Sequence, residues 1–157
     1  MFNRAEARVD LERIAANIHH LKHLSGTHVM AVVKADAYGH GLVQVAHAAL
    51  DAGATSLGVA LLEEAVTLRE AGITAPILAW LVPPGSDFKL AVDNNIELAA
   101  SSIKALEEIG AVKSENRPKV HLEVDTGMTR GGFLAEWGKI DGHHVANLDI
   151  VGIFSHF

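Results

Sequence analysis

Short runs of apolar, often β-branched residues alternate along the chain with longer stretches rich in Ala, Leu and Glu. The runs are Val29 to Lys34 (VMAVVK), Ser56 to Leu61 (SLGVAL), Ile77 to Val82 (ILAWLV), Ile96 to Ala100 (IELAA), Lys119 to Val124 (KVHLEV) and Ile150 to Phe154 (IVGIF). They are near-continuously hydrophobic, the pattern of strands buried on both faces of a parallel sheet. The stretches between them predict helices. Leu11, Ile14, Ile18 and Leu21 recur at helical spacing over Leu11 to Leu24, with Asp10 placed as the N-cap. Leu42 to Asp51 and Leu62 to Ala71 end at Gly53 and Gly72, which read as C-caps. Phe88 to Val92 follows a Pro83-Pro84-Gly85 loop, and Ser102 to Val112 starts at a serine cap. Ala135 to Asn147 reads as a helix interrupted by Gly138 and Gly142.

Strands alternating with helices, with strand starts roughly 20 to 30 residues apart, are repeated βα units. Right-handed crossovers then build a parallel α/β sheet. An open doubly wound sheet and a closed barrel both satisfy the pattern. Barrels of this class close with eight strands, and six are legible here. The last residue, Phe157, follows an apolar strand, where a domain end usually carries a polar tail or a docked helix. The expectation is the N-terminal part of a longer protein.

Composition narrows this picture. At 157 residues and 16.7 kDa the chain holds one domain, and 49% hydrophobic residues exclude a disordered tail. With 24 alanines against one tyrosine and two tryptophans, the core must be built from small and aliphatic side chains. No cysteine is present, which removes disulfide frameworks and thiolate metal sites. A net charge of -6 and a pI near 5.9 argue against a nucleic-acid partner. Met1-Phe2-Asn3-Arg4-Ala5-Glu6 has no apolar signal region, and no run is long enough to span a bilayer, so a cytoplasmic location is expected.

Three segments carry chemistry. Lys34 closes the most hydrophobic strand and opens Lys34-Ala35-Asp36-Ala37-Tyr38-Gly39-His40-Gly41. Ligands bind at the carboxyl ends of parallel strands. Val32 and Val33 back a lysine there, and desolvation, where it occurs, lowers an amine's pKa and suits it to Schiff-base chemistry. The plainer reading is a strand-end lysine reaching to water above a glycine turn. In His121-Leu122-Glu123-Val124-Asp125-Thr126-Gly127-Met128-Thr129-Arg130-Gly131-Gly132, Glu123 and Asp125 alternate with apolar residues and share one face. Acids on a buried strand need a partner, and Arg130 is the local one; the plainer reading is a solvated strand end. His156 in Gly152-Ile153-Phe154-Ser155-His156-Phe157 falls at the same topological end, although a lone histidine is more often structural. His19 and His23 stand four apart on a helix without a completing ligand, and no metal site is expected.

At these places the sequence resembles alanine racemase, a pyridoxal-phosphate enzyme of the barrel type. VVKADAYGHG is similar to that family's lysine motif, DTGMTRGGF to its DTGMxRxGF segment and GIFSHF to its GI-x-[ST]-HF segment; SLGVALLEEAVTLREAGITAPIL is similar to its second strand and helix. The likeness runs from about Ala7 to Phe157 and covers less than half of a family member. It implies a truncated parallel (β/α) TIM-type barrel with about six βα units, and a protein that interconverts L-alanine and D-alanine for cell-wall precursors with pyridoxal 5'-phosphate. By motif, Lys34 would bond the cofactor covalently and act as the base on one face of the substrate. Tyr38 would lie beside the cofactor phosphate, Arg130 would bond its phenolic oxygen, and His156 would pack on its ring. Val32 and Trp80 fall near pocket-lining positions. Many family members carry a carbamylated lysine where Glu123 stands, and Glu123 is expected to orient Arg130 in its place. The opposing base, a tyrosine contributed across a homodimer, lies beyond this segment in the family, so the 157 residues alone are expected to be inactive. Two rivals remain: a barrel that holds pyridoxal phosphate for cofactor balance without turnover, and a related racemase or decarboxylase for another amino acid.

Overall fold

The computed structural model describes residues 5–157; the beginning of the N-terminal stretch searched for a signal region, residues 1–4, lies outside the described residues. The elements run α1 (Leu11–Ser25), β1 (Met30–Val32), α2 (Lys34–Gly39), α3 (Leu42–Asp51), β2 (Ser56–Val59), α4 (Leu62–Glu70), β3 (Ile77–Ala79), α5 (Phe88–Asp93), β4 (Glu97–Ala100), α6 (Ile103–Gly110), β5 (Lys119–Val124), a single 3-10 turn (Trp137–Lys139), α7 (Gly142–Val145) and β6 (Asp149–Ser155). Among the described residues no helix is long and apolar enough to cross a membrane.

The strands form one 6-stranded sheet in the order β1-β2-β3-β4-β5-β6, and each pairs with its sequence neighbour in parallel. A doubly wound sheet reverses its order at a switch point. This one never reverses, so crossovers of one hand put the helices on the same face. The result is the curled part-barrel of six βα units that the motifs imply.

The outer face of the sheet is the core. Leu57, Val59, Ile77, Leu98 and Val120 are fully buried there, as are Ala46, Ala65, Leu68, Leu106 and Ile109 from the helices. Alanine at the contact points lets helices approach the sheet closely, which explains why so alanine-rich a chain packs a core with few aromatic rings. Burying each such leucine or isoleucine contributes about 1.5–3 kcal/mol. Arg69 at the end of α4 staples two junctions, donating to the carbonyls of Ile73 and Ala75 at 2.7 Å each, Asn95 at 2.8 Å and Asn94 at 3.0 Å. Burial lowers its pKa, and nearby Glu97 opposes that effect.

One expectation needs correction. Ala135 to Asn147 is not one helix: Ile140 is extended (φ -68, ψ 123) and Asp141 starts a new cap for α7, accepting from the His143 and His144 amides. The two glycines remove the side chains that would hold those turns together. Helix α1 begins at its Asp10 cap, yet none of its residues is buried. It lies on α3 rather than on the sheet, so Ile14 and Ile18 pack at the edge of the core while Leu21 and Leu24 stay exposed.

Candidate active site

Strand β1 ends at Val32, and Lys34 opens a turn of unusual hand. Ala35, Asp36, Ala37 and Tyr38 have φ of 53, 54, 51 and 57°, a left-handed helical turn without a glycine. For L-residues that conformation costs about 1–2 kcal/mol each, so the surroundings must over-determine it. They do. The Ala37 amide donates to the Val33 carbonyl at 2.8 Å, and the Gly41 amide to the Asp36 carbonyl at 2.8 Å. The Asp36 carboxylate accepts from the Leu42 amide at 2.7 Å, and Glu64 accepts from the Ala35 amide at 2.6 Å. The turn brings the Tyr38 ring back under the lysine, with Lys34 Nζ 5.7 Å from its centroid, within cation–π range.

The loop after β5 is fixed as firmly. Asp125 accepts from the Gly127 amide at 2.9 Å and the Thr129 amide at 3.0 Å; these bonds hold its pKa below the usual carboxylate value. The loop closes where the Phe133 amide donates to the Glu123 carbonyl at 2.7 Å and the Asp125 amide to the Phe133 carbonyl at 3.0 Å. Phe133, 1% exposed, anchors it in the core. Gly132 is required at the closure: its φ is +101°, and a Cβ would stand 2.6 Å from the Asp125 nitrogen. Thr126 and Ser155 share a hydroxyl–hydroxyl hydrogen bond that ties this loop to the end of β6.

Both ends open onto a cavity of about 1200 Å³ on the inner face of the sheet. Val32, Lys34 and Tyr38 line it from the first βα unit and Trp80 from the third. Glu123, Arg130 and His156 line it from the fifth and sixth. All seven residues singled out from the sequence are thus brought to one place. Another cavity, about 660 Å³, is an exposed notch by Lys89, Asp93 and Lys113, remote from them.

Not every detail of the reading survives. Val33 is buried, but it faces the helices; Val32, on the lysine's own face, is 42% exposed. The strand therefore does not wall Lys34 from water. Glu123 and Arg130 are not within ion-pair distance of each other. Arg130 is exposed at the loop's tip, and the Glu123 carboxylate lies beside Gly131, where an added Cβ would be 3.6 Å from Oε2. Asp125 does not share the face with Glu123 as a second cavity acid, because the loop amides take it up.

A pair that the sequence reading missed lies on the same inner face. His121 Nε2 meets Glu97 Oε2 at 2.7 Å, with side chains only 16% and 13% exposed. Gly152 leaves the space for that imidazole, since a Cβ there would come within 2.3 Å of Nδ1. The signal was an acid and a histidine at inward positions of neighbouring strands, visible only once β4 and β5 are paired. Glu64 was also missed, although Leu61-Leu62-Glu63-Glu64 carries the acid of a capping box.

An amine at the end of the first strand, with an aromatic ring, a cation, an acid and an imidazole around one cavity, defines a lysine-centred α/β part-barrel. Residues 9–157 match the family model described as "Alanine racemase, N-terminal domain", and the chain belongs to that family. An alanine racemase of Salinispora tropica is 48% identical over 161 aligned positions, covering 98% of this chain and 43% of its own length. The crystal structure of alanine racemase from D-cycloserine producing Streptomyces lavendulae superposes with a TM-score of 0.91 at 38% identity, over 95% of this chain and 41% of that one. A histidine racemase from Leuconostoc mesenteroides superposes at 0.86 with 31% identity, over 95% of this chain and 42% of its own. The chain thus spans under half the length of the relatives it matches.

Proposed function

We propose that these residues are the cofactor-bearing part of a pyridoxal-phosphate-dependent alanine racemase, a cytoplasmic enzyme that works as a homodimer. The observation that carries the reading is the convergence of Lys34, Tyr38, Arg130 and His156 on one cavity. The donor set suits pyridoxal phosphate: Lys34 offers an amine to its aldehyde, Tyr38 a hydroxyl beside its phosphate, Arg130 a cation for its phenolic oxygen, and His156 a ring to pack on its own. Val32 and Trp80 are the apolar walls. When bound, the cofactor acts as an electron sink for negative charge at the substrate's α-carbon.

The chain's own groups do the rest. Lys34 Nζ takes the α-proton from one face and returns it as general base and acid. Tyr38, the chain's one tyrosine, sits against Lys34 and so serves its side, not the opposite one. Glu123 brings a carboxylate to the same cavity, beside Gly131 of the loop that carries Arg130, without pairing with the guanidinium. The base for the second face comes from outside these 157 residues, so this stretch alone exchanges the α-proton without inverting the centre.

Alanine is favoured over histidine by the higher identity to alanine racemases. The test is the chain with pyridoxal phosphate and L-alanine or L-histidine in D2O. Deuterium entering alanine faster than with free cofactor, and not with Lys34→Met, supports the reading. Equal exchange in the Lys34→Met chain contradicts it, and faster exchange into histidine reassigns the substrate.

A further inference from the structure

We infer that Glu64, a residue of the second βα unit, is a positioning residue for Lys34; the inference rests on the function proposed above. Its carboxylate bridges two βα junctions. One oxygen accepts from the Ala35 amide at 2.6 Å, and the other from the Ala60 and Leu61 amides at 3.0 Å each. The Ala60 and Leu61 bonds are those of an ordinary helix start. The Ala35 bond is not: it reaches 29 residues back along the chain, to the first residue of the left-handed turn.

That bond acts on the lysine because of where it falls. The peptide before Lys34 is held by its Val33 carbonyl, which accepts from the Ala37 amide at 2.8 Å. The peptide after it is held by the Ala35 amide on Glu64. With both flanking planes fixed, the direction in which the Lys34 side chain leaves the backbone is fixed too. Val33 also donates to the Gly58 carbonyl of β2 at 2.9 Å, so Lys34 is referenced twice to the second βα unit. Releasing the Ala35 amide frees four non-glycine residues to leave the left-handed region, and Lys34 and Tyr38 part with them.

Glu64→Gln tests this, because an amide has one acceptor oxygen and cannot serve both junctions. Glu63→Gln, exposed on the same turn, is the control. Each chain is treated with pyridoxal 5'-phosphate and borohydride, and pyridoxyl-lysines are mapped by mass spectrometry, with amide exchange of Ala35 followed in parallel. The expected result is labelling of Lys34 slowed at least about tenfold in Glu64→Gln, faster Ala35 exchange, and unchanged labelling of the other lysines and of the Glu63→Gln chain. Glu64→Asp, which keeps the charge but is one methylene short, should fall between and serves where Glu64→Gln lowers the folded fraction. Labelling of Lys34 at the parent rate, or an equal loss at every lysine, overturns the inference. A parent chain unlabelled at Lys34 overturns the functional reading, and this inference with it.

Discussion

Replacing Gly132 by alanine strikes the loop that carries Arg130 at its closure. The added Cβ would stand 2.6 Å from the Asp125 nitrogen, 2.9 Å from the Val124 carbonyl carbon and 3.2 Å from the Asp125 Cα. All three are backbone atoms, so no side chain can swing aside. The φ of +101° adds about 1–2 kcal/mol of strain for a residue with a Cβ. Relief of the clash parts the two strands of the closure and breaks the Phe133–Glu123 and Asp125–Phe133 backbone bonds of 2.7 and 3.0 Å. Each is worth about 0.5–1.5 kcal/mol. The sum is a loss of about 2–5 kcal/mol, or a fall in Tm of roughly 5–15 °C for a domain of this size. Urea unfolding should show the midpoint lowered with the slope unchanged. Gly138→Ala is the control, since nothing lies within 4 Å of a Cβ there and its φ is ordinary; it should move stability by less than about 0.5 kcal/mol. A Gly132→Ala loss no larger than the Gly138→Ala change would refute the closure argument.

Gly152→Ala should cost about 2 kcal/mol by pushing His121 off Glu97, and less in a Glu97→Gln background where the ring is free to move; denaturant midpoints of the cycle measure the coupling. Asp125 has its pKa lowered by the loop amides. Its contribution is therefore full above the unfolded carboxylate value of about 3.9 and lost as pH falls through the lower folded value. Asp125→Asn should flatten the acid side of the stability–pH curve in part, with the slopes from Asp93 and Asp141, also lowered, retained. β6, at the edge of the sheet, exposes Ile153 by 62% and Val151 by 46%. The chain should self-associate with rising concentration in sedimentation velocity, and Ile153→Lys should reduce it.

Much of this architecture is readable from one-dimensional pattern. Each strand of the sheet falls on an apolar run, because its outward residues pack against the helices and most of its inward ones line a largely apolar cavity. The first three strands end earlier than their runs suggest. Past Val32, Val59 and Ala79 the chain turns into the loops that build the cavity, and its residues stay apolar there because the cavity itself is apolar. The cavity residues are legible as motifs because each lies at a strand's carboxyl end. What the sequence hides is non-local. Glu97 and His121 are 24 residues apart and meet through the pairing of β4 with β5, while Glu64 and Ala35 are 29 apart and meet where two neighbouring βα junctions pack together. The left-handed turn is hidden for another reason: Ala-Asp-Ala-Tyr has ordinary right-handed preferences, and only the bonds around it reverse them.

The account stands on Lys34 as the residue that holds the cofactor. Its most direct test is the site of the pyridoxyl group when the chain is incubated with substoichiometric pyridoxal 5'-phosphate, reduced with borohydride and digested for peptide mapping. The group is predicted on Lys34, in the peptide containing KADAYGHG, with addition of L-alanine before reduction displacing it. A label spread over the exposed lysines, or concentrated on one other than Lys34, would contradict the account.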